Sequence, residues 1–118
     1  MKKGQRVLLV EDEAALRSII VDELIDAGFE VLEAGDGEEA LARFHDQEPD
    51  LLLTDIRLPG ALDGWDIAEK LRARKADLPV IYMSGFSPVR PRQVPHSHFI
   101  RTPYRPSQII DLVQSLEV

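Results

Sequence analysis

The chain has 118 residues, 44% of them hydrophobic, which suits one domain with a substantial buried core and leaves little room for a second. Cysteine is absent, which excludes disulfides, iron-sulfur clusters and thiolate metal sites and is typical of a reducing compartment. The net charge of -7 argues against a broad nucleic acid interface, and no apolar run approaches the roughly 20 residues of a membrane span.

These limits define the expected kind of protein. No stretch at the start of the chain resembles a signal peptide, and we find no repeat or linker. We therefore predict a single domain over residues 1–118 that is soluble and cytoplasmic and that binds neither nucleic acid nor a membrane. We also expect a monomer, because prolines late in the chain interrupt a helix that a dimer surface would use.

Apolar residues alternate between two spacings along the chain. Short continuous runs are typical of buried strands, and apolar residues three and four positions apart are typical of helices. In chain order the predicted elements are a strand at Val7 to Val10, a helix over Leu16 to Leu24, a strand at Val31 to Ala34, a helix from about Gly37, a strand at Leu51 to Thr54, a helix after Asp63, a strand at Val80 to Met83, a strand centred on Phe99-Ile100, and a helix from Pro106. Gly28 is placed to end the first helix, and Asp36 and Glu39 have capping-box spacing at the start of the second.

Each predicted strand is too continuously apolar to have one face in water. Such strands alternating with helices indicate a parallel sheet covered on both sides, which is a doubly wound α/β domain. The alternation breaks between the fourth and fifth strands, where the sequence GFSPVRPRQVPHSH contains Pro88, Pro91 and Pro95. Because a proline inside a helix removes a hydrogen bond and clashes with the preceding turn, we expect the helix of this crossover to be shortened or missing.

Acidic side chains follow two of the predicted strands. Glu11 and Asp12 come after the first strand and Asp55 after the third, so the three carboxylates share one crevice if those strands are neighbours. An all-oxygen cluster without histidine or cysteine suits Mg²⁺. Ser84, at the end of the fourth strand, directs a hydroxyl to the same crevice. The alternative is that Glu11, Asp12 and Glu13 only favour the dipole of the helix that follows.

Four separated motifs resemble the receiver domain of two-component response regulators: VLLVEDE, LLLTDIRLPGALDGW, VIYMSG and FIRTPY. They occur in the family's order and near its spacings, and the likeness covers essentially the whole chain. The resemblance implies a flavodoxin-like fold with strand order 2-1-3-4-5. It fits either a single-domain regulator or the receiver of a hybrid kinase.

The resemblance also implies roles for individual residues. Asp55 would accept a phosphoryl group from a phosphohistidine on a histidine kinase or histidine phosphotransfer protein. Asp12, Asp55 and the backbone carbonyl of Arg57 would hold Mg²⁺ directly, and Glu11 would assist through water. Ser84 would bond a phosphoryl oxygen, and Phe99 stands at the position of the family's switch aromatic.

One family position differs in a way that affects the switch. The lysine that pairs with the phosphoryl group is Thr102 here, which supplies no charge and has a shorter reach. Coupling between phosphorylation and conformational change is therefore in question. Arg57 is the favoured substitute, because strand alternation directs Arg101 away from the site. Thr102-Pro103 keeps the X-Pro sequence that allows the family's cis peptide.

Two alternative functions follow from these departures. A pseudo-receiver would keep the fold and act as a phosphorylation-independent binding module or as a phosphate sink. An aspartyl phosphatase of the haloacid-dehalogenase kind would need a second aspartate two residues after Asp55, and that position is Arg57. We therefore do not expect an enzyme, beyond promotion of the domain's own phosphorylation and dephosphorylation.

The C-terminal third of the sequence contains a stretch with an excess of positive charge. No acidic residue lies between Leu78 and Ile110, a stretch of charge +4 against -11 for the rest of the chain, which together give -7. The four cations are Arg90, Arg92, Arg101 and Arg105. They form either a docking patch for an unknown downstream protein or a solvated basic face. The three histidines, His45, His96 and His98, lack metal-ligand spacing and are expected on the surface.

Overall fold

The computed structural model, which describes residues 1–84 and 92–116, alternates strands and helices in the predicted order. The elements are β1 (Arg6–Val10), α1 (Ala14–Asp26), β2 (Glu30–Ala34), α2 (Gly37–Asp46), β3 (Leu51–Asp55), α3 (Gly64–Arg74), β4 (Val80–Ser84), β5 (Ser97–Arg101) and α4 (Pro106–Ser115). All strand pairs are parallel, in the order β2-β1-β3-β4-β5. The predicted flavodoxin-like fold and strand order are confirmed.

The two faces of the sheet carry separate cores, because alternate residues of each strand point to opposite sides. On one face, side chains such as Leu8, Leu52 and Val80 pack under α2 and α3. On the other, their sequence neighbours pack under α1 and α4: Val7, Leu9, Leu51, Leu53 and Ile81. All of these strand residues are fully buried. Strands with apolar residues on both faces therefore explain why the sequence pattern is continuous and does not alternate.

Local signals start and end the helices where the sequence predicts. The Asp36 carboxylate accepts a hydrogen bond from the Glu39 backbone N–H at 2.8 Å. Asp36 thereby caps α2, which begins at Gly37. At α3, Asp63 and Asp66 exchange backbone and side-chain hydrogen bonds in a capping box. Beyond the end of α1, Gly28 has φ +97°, a conformation that favours glycine.

Hydrogen bonds of Arg92, Val94 and Pro95 tie the described part of the β4–β5 crossover to the rest of the domain. Arg72 of α3 donates to the carbonyl of Pro95 at 2.8 Å. Arg92 bonds Asp66 at 3.1 Å and Glu69 at 2.6 Å, and the Val94 N–H donates to the Tyr82 hydroxyl at 3.2 Å. Residues 92–96 of this crossover contain no helix, and residues 1–84 and 92–116 together contain four.

Some predicted features fall outside the described residues. These are Pro88, Pro91 and Arg90. Of the remaining arginines predicted for a docking patch, Arg92 is engaged with α3, while Arg101 and Arg105 are exposed. The three histidines are exposed, as expected. No helix in the described ranges is long and apolar enough to cross a membrane.

Candidate functional site

The carboxyl ends of β1, β3, β4 and β5 meet at one edge of the sheet and form an open crevice. The register sets Val10 opposite Thr54, Asp55 opposite Met83, and Ser84 opposite Arg101. The crevice has a volume of about 420 Å³ and is lined by Glu11, Asp12, Glu13, Leu16, Asp55, Arg57, Met83, Ser84, Thr102 and Tyr104. Six of the seven residues predicted for the site therefore lie together, and the seventh, Phe99, lies elsewhere.

Three carboxylates form the centre of this crevice. Glu11, Asp12 and Asp55 each offer an oxygen atom, and these atoms lie within 4.8 Å of one another. Glu11 is 3% exposed, Asp55 is partly buried and Asp12 is exposed. The set contains only hard oxygen donors and matches the ligand preference of Mg²⁺. Within residues 1–84 and 92–116, no other group of three acidic or histidine side chains has this spacing.

The electrostatics of this cluster act most strongly on Asp55. Burial raises the pKa of its carboxyl to about 9, and the hydrogen bond and charge of Glu11 and the charges of Asp12 and Glu13 act in the same direction. Asp55 in the protein alone therefore retains its proton at neutral pH. A divalent cation among the carboxylates would reverse this effect by favouring the ionised form.

Backbone packing fixes the position of Asp55. The Gly64 N–H donates to the carbonyl of Ile56 at 2.7 Å, which brings the start of α3 against the end of β3. A Cβ atom on Gly64 would lie 2.1 Å from the Asp55 carbonyl oxygen, so only glycine permits this approach. The buried Thr54 hydroxyl donates to the same carbonyl at 2.8 Å. The nucleophile candidate thus lies on a rigid strand end.

The end of β1 is held in a comparable way. The Glu11 N–H donates to the Ala34 carbonyl at 3.0 Å, and Arg17 of α1 donates to the Glu11 carbonyl at 2.7 Å. The Glu11 carboxylate accepts a hydrogen bond from the Glu13 N–H at 3.0 Å, just before α1 begins. Glu11 therefore contacts the segment that precedes α1 and also belongs to the acidic cluster.

Among the described residues, those that line the crevice from the segment after β5 are Thr102 and Tyr104, and neither is a cation. Thr102 is exposed, and its N–H donates to the Ser84 carbonyl at 2.9 Å. The Thr102-Pro103 peptide is cis, the isomer that this sequence allows. Arg101 is exposed and does not line the crevice, in agreement with strand alternation.

Tyr104 is a residue of the crevice that the sequence analysis missed. It is partly buried, and its hydroxyl donates to the sulfur atom of Met83 at 3.7 Å. Burial raises its pKa to about 12, and the negative charges of Asp55, Glu11 and Glu13 add to this effect. The signal available in the sequence was its position two residues after Thr102.

Phe99 belongs to a row of three aromatic rings that crosses β4 at Tyr82. Its ring centroid lies 6.4 Å from that of Tyr82, which in turn lies 4.7 Å from that of Trp65. Trp65 is 6% exposed and packs in the core. The three rings extend from the start of α3 to β5. Phe99 is half-buried at the β5 end of this row.

A second concavity differs in chemistry. A groove of about 500 Å³ between α2 and α3 is lined largely by apolar surface, including Leu41, Phe44 and Leu71. None of the described residues that line this groove is a carboxylate. The chemistry of the strand edge therefore identifies the smaller crevice as the candidate site.

Comparisons with known proteins give the family of this chain. The family model described as the response regulator receiver domain matches residues 7–114. The receiver domain of the hybrid histidine kinase CckA is 35% identical, with a TM-score of 0.80, over 92% of this chain and 95% of that chain. Response regulator protein TrrA from Thermotoga maritima, solved in complex with Mg(2+)-BeF, is 28% identical with a TM-score of 0.85, over 96% of this chain and 99% of that chain.

A curated relative of this chain is a longer protein. The probable transcriptional regulator ycf27 of Porphyridium aerugineum is 31% identical over 116 residues, which are 95% of this chain and 48% of that protein. The chain thus spans about half the length of the curated relatives it matches. The resemblance predicted from the four motifs is confirmed, and the chain belongs to the family of response regulator receiver domains of two-component signalling.

Proposed function

We propose that this receiver domain accepts a phosphoryl group on Asp55 from a phosphohistidine of a histidine kinase or histidine phosphotransfer protein, in a reaction that requires Mg²⁺. The observation that carries the proposal is the crevice in which Glu11, Asp12 and Asp55 bring oxygen atoms within 4.8 Å of one another. The TrrA structure, described as a complex with Mg(2+)-BeF, supports the same metal for this chain by analogy.

The residues of the crevice suit an in-line phosphoryl transfer. A carboxylate oxygen of Asp55 forms the new bond to phosphorus, while the phosphorus–nitrogen bond breaks and the leaving imidazole takes a proton from water. Glu11 and Asp12, with Asp55 and the carbonyl of Arg57, would hold Mg²⁺. The bound cation would keep Asp55 ionised and neutralise charge on the transferring group.

Other residues of the crevice would act after transfer. The Ser84 hydroxyl would donate to a phosphoryl oxygen. Phe99, at the position of the family's switch aromatic, would change conformation when Asp55 is phosphorylated. Thr102 adds no positive charge, so we propose an atypical switch, in which Arg57 is one candidate for an additional phosphate contact. The exposure of Thr102 also favours a second candidate function, a pseudo-receiver that binds its partner without phosphorylation or acts as a phosphate sink.

The surface around the crevice supports docking of a protein donor. Leu16 lines the crevice, and Ile19, one turn further along α1, is 50% exposed. These two side chains would give a protein donor an apolar surface to contact beside the crevice. Arg101 and Arg105 remain candidates for contact with a downstream protein. We propose a monomer that acts on no separate substrate.

The test is the intact mass of the protein after incubation with acetyl phosphate, with and without Mg²⁺. We expect one phosphoryl adduct on the wild type in the presence of Mg²⁺ and none on Asp55→Asn. Asp111→Asn, which removes an exposed carboxylate of α4, is the matched control and should be modified like the wild type. Absence of an adduct, also with a phosphohistidine donor, would favour the pseudo-receiver.

A further inference from the structure

The hydroxyl of Tyr104 is a hydrogen-bond donor without a strong acceptor. Among the described residues its one hydrogen bond goes to the Met83 sulfur atom, at 3.7 Å. A thioether sulfur is a weak acceptor, so this bond costs little to exchange. Tyr104 lines the same crevice as Asp55 and Thr102. The crevice therefore contains a donor that the unmodified domain uses poorly.

The electrostatic surroundings keep this hydroxyl protonated. Burial raises the pKa of Tyr104 to about 12, and the charges of Asp55, Glu11 and Glu13 contribute. The phenol is therefore neutral at physiological pH and retains its O–H. The contribution of Asp55 also indicates that the phenol lies within the electrostatic field of the carboxylate that would carry the phosphoryl group.

Tyr104 lies on the segment from which the family's lysine contacts the phosphoryl group. The family's lysine comes from the segment after β5, and Thr102, which replaces it, has a short neutral side chain. Tyr104 follows on the same segment. Arg57 instead approaches from the end of β3, which is separated from β5 by β4.

We infer that Tyr104 donates its phenolic O–H to a phosphoryl oxygen on Asp55, and that this hydrogen bond replaces the contact of the family's lysine. The inference rests on the proposed function. A phosphoryl oxygen is anionic, and a hydrogen bond to an ionised acceptor is stronger than one to a neutral group. Exchange of the Met83 sulfur for this oxygen is therefore favourable. The contact supplies a hydrogen bond without a positive charge.

The experiment measures the affinity for beryllium fluoride, a phosphoryl mimic, in saturating Mg²⁺. Wild type, Tyr104→Phe and Met83→Leu are compared by ¹⁹F NMR or calorimetric titration. We expect Tyr104→Phe to weaken beryllium fluoride binding about fivefold to tenfold, the range for loss of one hydrogen bond. Met83→Leu removes the sulfur acceptor and keeps the phenol, so its affinity should stay within about twofold of the wild type.

A second variant separates donation from packing. Thr102→Lys restores the charged donor. In this background, Tyr104→Phe should reduce the affinity for beryllium fluoride by a smaller factor than it does in the wild type, because both donors contact the same group. The folding control is the Mg²⁺ affinity of the Tyr104→Phe variant without beryllium fluoride, which should equal that of the wild type.

The outcomes that overturn the inference differ from those that overturn the proposed function. If the wild type binds beryllium fluoride and Tyr104→Phe binds it equally well, the inference is wrong and the acceptor chemistry stands. An equal loss in Met83→Leu and Tyr104→Phe would also overturn it, since the effect would then arise from packing. If the wild type fails to bind beryllium fluoride in Mg²⁺, the proposed function fails and the inference fails with it.

Discussion

At the scale of single residues, Asp55 combines two opposed requirements. Attack on phosphorus requires an ionised carboxylate. Burial and three neighbouring acids raise its pKa to about 9, so that the protein alone favours the protonated form. The same carboxylates that suppress ionisation would be the ligands of the cation that we propose, and such a cation would restore ionisation. Under this proposal, the crevice requires a metal ion for reaction.

This conflict predicts a pH dependence of stability in metal-free protein. The folded-state pKa of Asp55 lies above its ordinary value of 3.8, so between these values the folded state holds a proton that the unfolded state has lost. The stability contributed by this protonated carboxyl is full below about pH 4 and declines as the pH rises towards about 9. In EDTA at pH 8, Asp55→Asn should unfold at a higher urea concentration than the wild type. Its free energy of unfolding should exceed that of the wild type by an amount on the order of 2 kcal/mol, and this difference should shrink towards pH 5.

Asp111→Asn is the control for this measurement, because it removes one negative charge from an exposed position on α4. Its urea midpoint should follow that of the wild type across the same pH range. A wild type that gained stability between pH 5 and pH 8 relative to Asp55→Asn would contradict the raised pKa of Asp55.

At the scale of elements, the sequence predicts most of the fold because its signals are local. Continuous apolar runs located all five strands to within about two residues, and the spacing of Asp36 and Glu39 located the start of α2. The site residues that end the strands were predictable for the same reason. Tyr104 and the contacts of Arg92 were missed, since they depend on segments that meet only in three dimensions.

The junction between β3 and α3 is the element contact on which the site depends most. A Cβ on Gly64 would lie 2.1 Å from the Asp55 carbonyl oxygen and 2.8 Å from the Ile56 Cα, both backbone atoms that cannot move independently. Gly64→Ala should therefore cost about 2–3 kcal/mol of stability in urea unfolding and lower the yield of phosphoryl adduct with acetyl phosphate.

Gly35→Ala provides the matched control for this substitution. Its new Cβ would meet only the end of the Arg17 side chain, at 3.3 Å, which is flexible and can shift. Its cost should stay below about 1 kcal/mol. Equal stability losses in the two variants would show that the close approach at Gly64 has no special cost.

At the scale of the whole molecule, the charge distribution follows the sheet. The net charge is -7, and three of the acidic side chains meet at one edge, where the strands end. The two cores on the faces of the sheet hold these strand ends in register. Folding therefore brings like charges together, and any ion that neutralises them is bound more tightly by the folded state than by the unfolded state.

The last prediction follows from this linkage. Mg²⁺ at ten times its dissociation constant should add about 1.4 kcal/mol to the stability of the wild type and raise its melting temperature by several degrees. NaCl at the same ionic strength screens the charges without occupying the crevice, so it should produce a smaller shift. Asp55→Asn should lose most of the Mg²⁺ effect and Asp111→Asn should keep it. Equal melting shifts in all three proteins would show that Mg²⁺ acts through general screening and that the carboxylates of the crevice do not form a metal site.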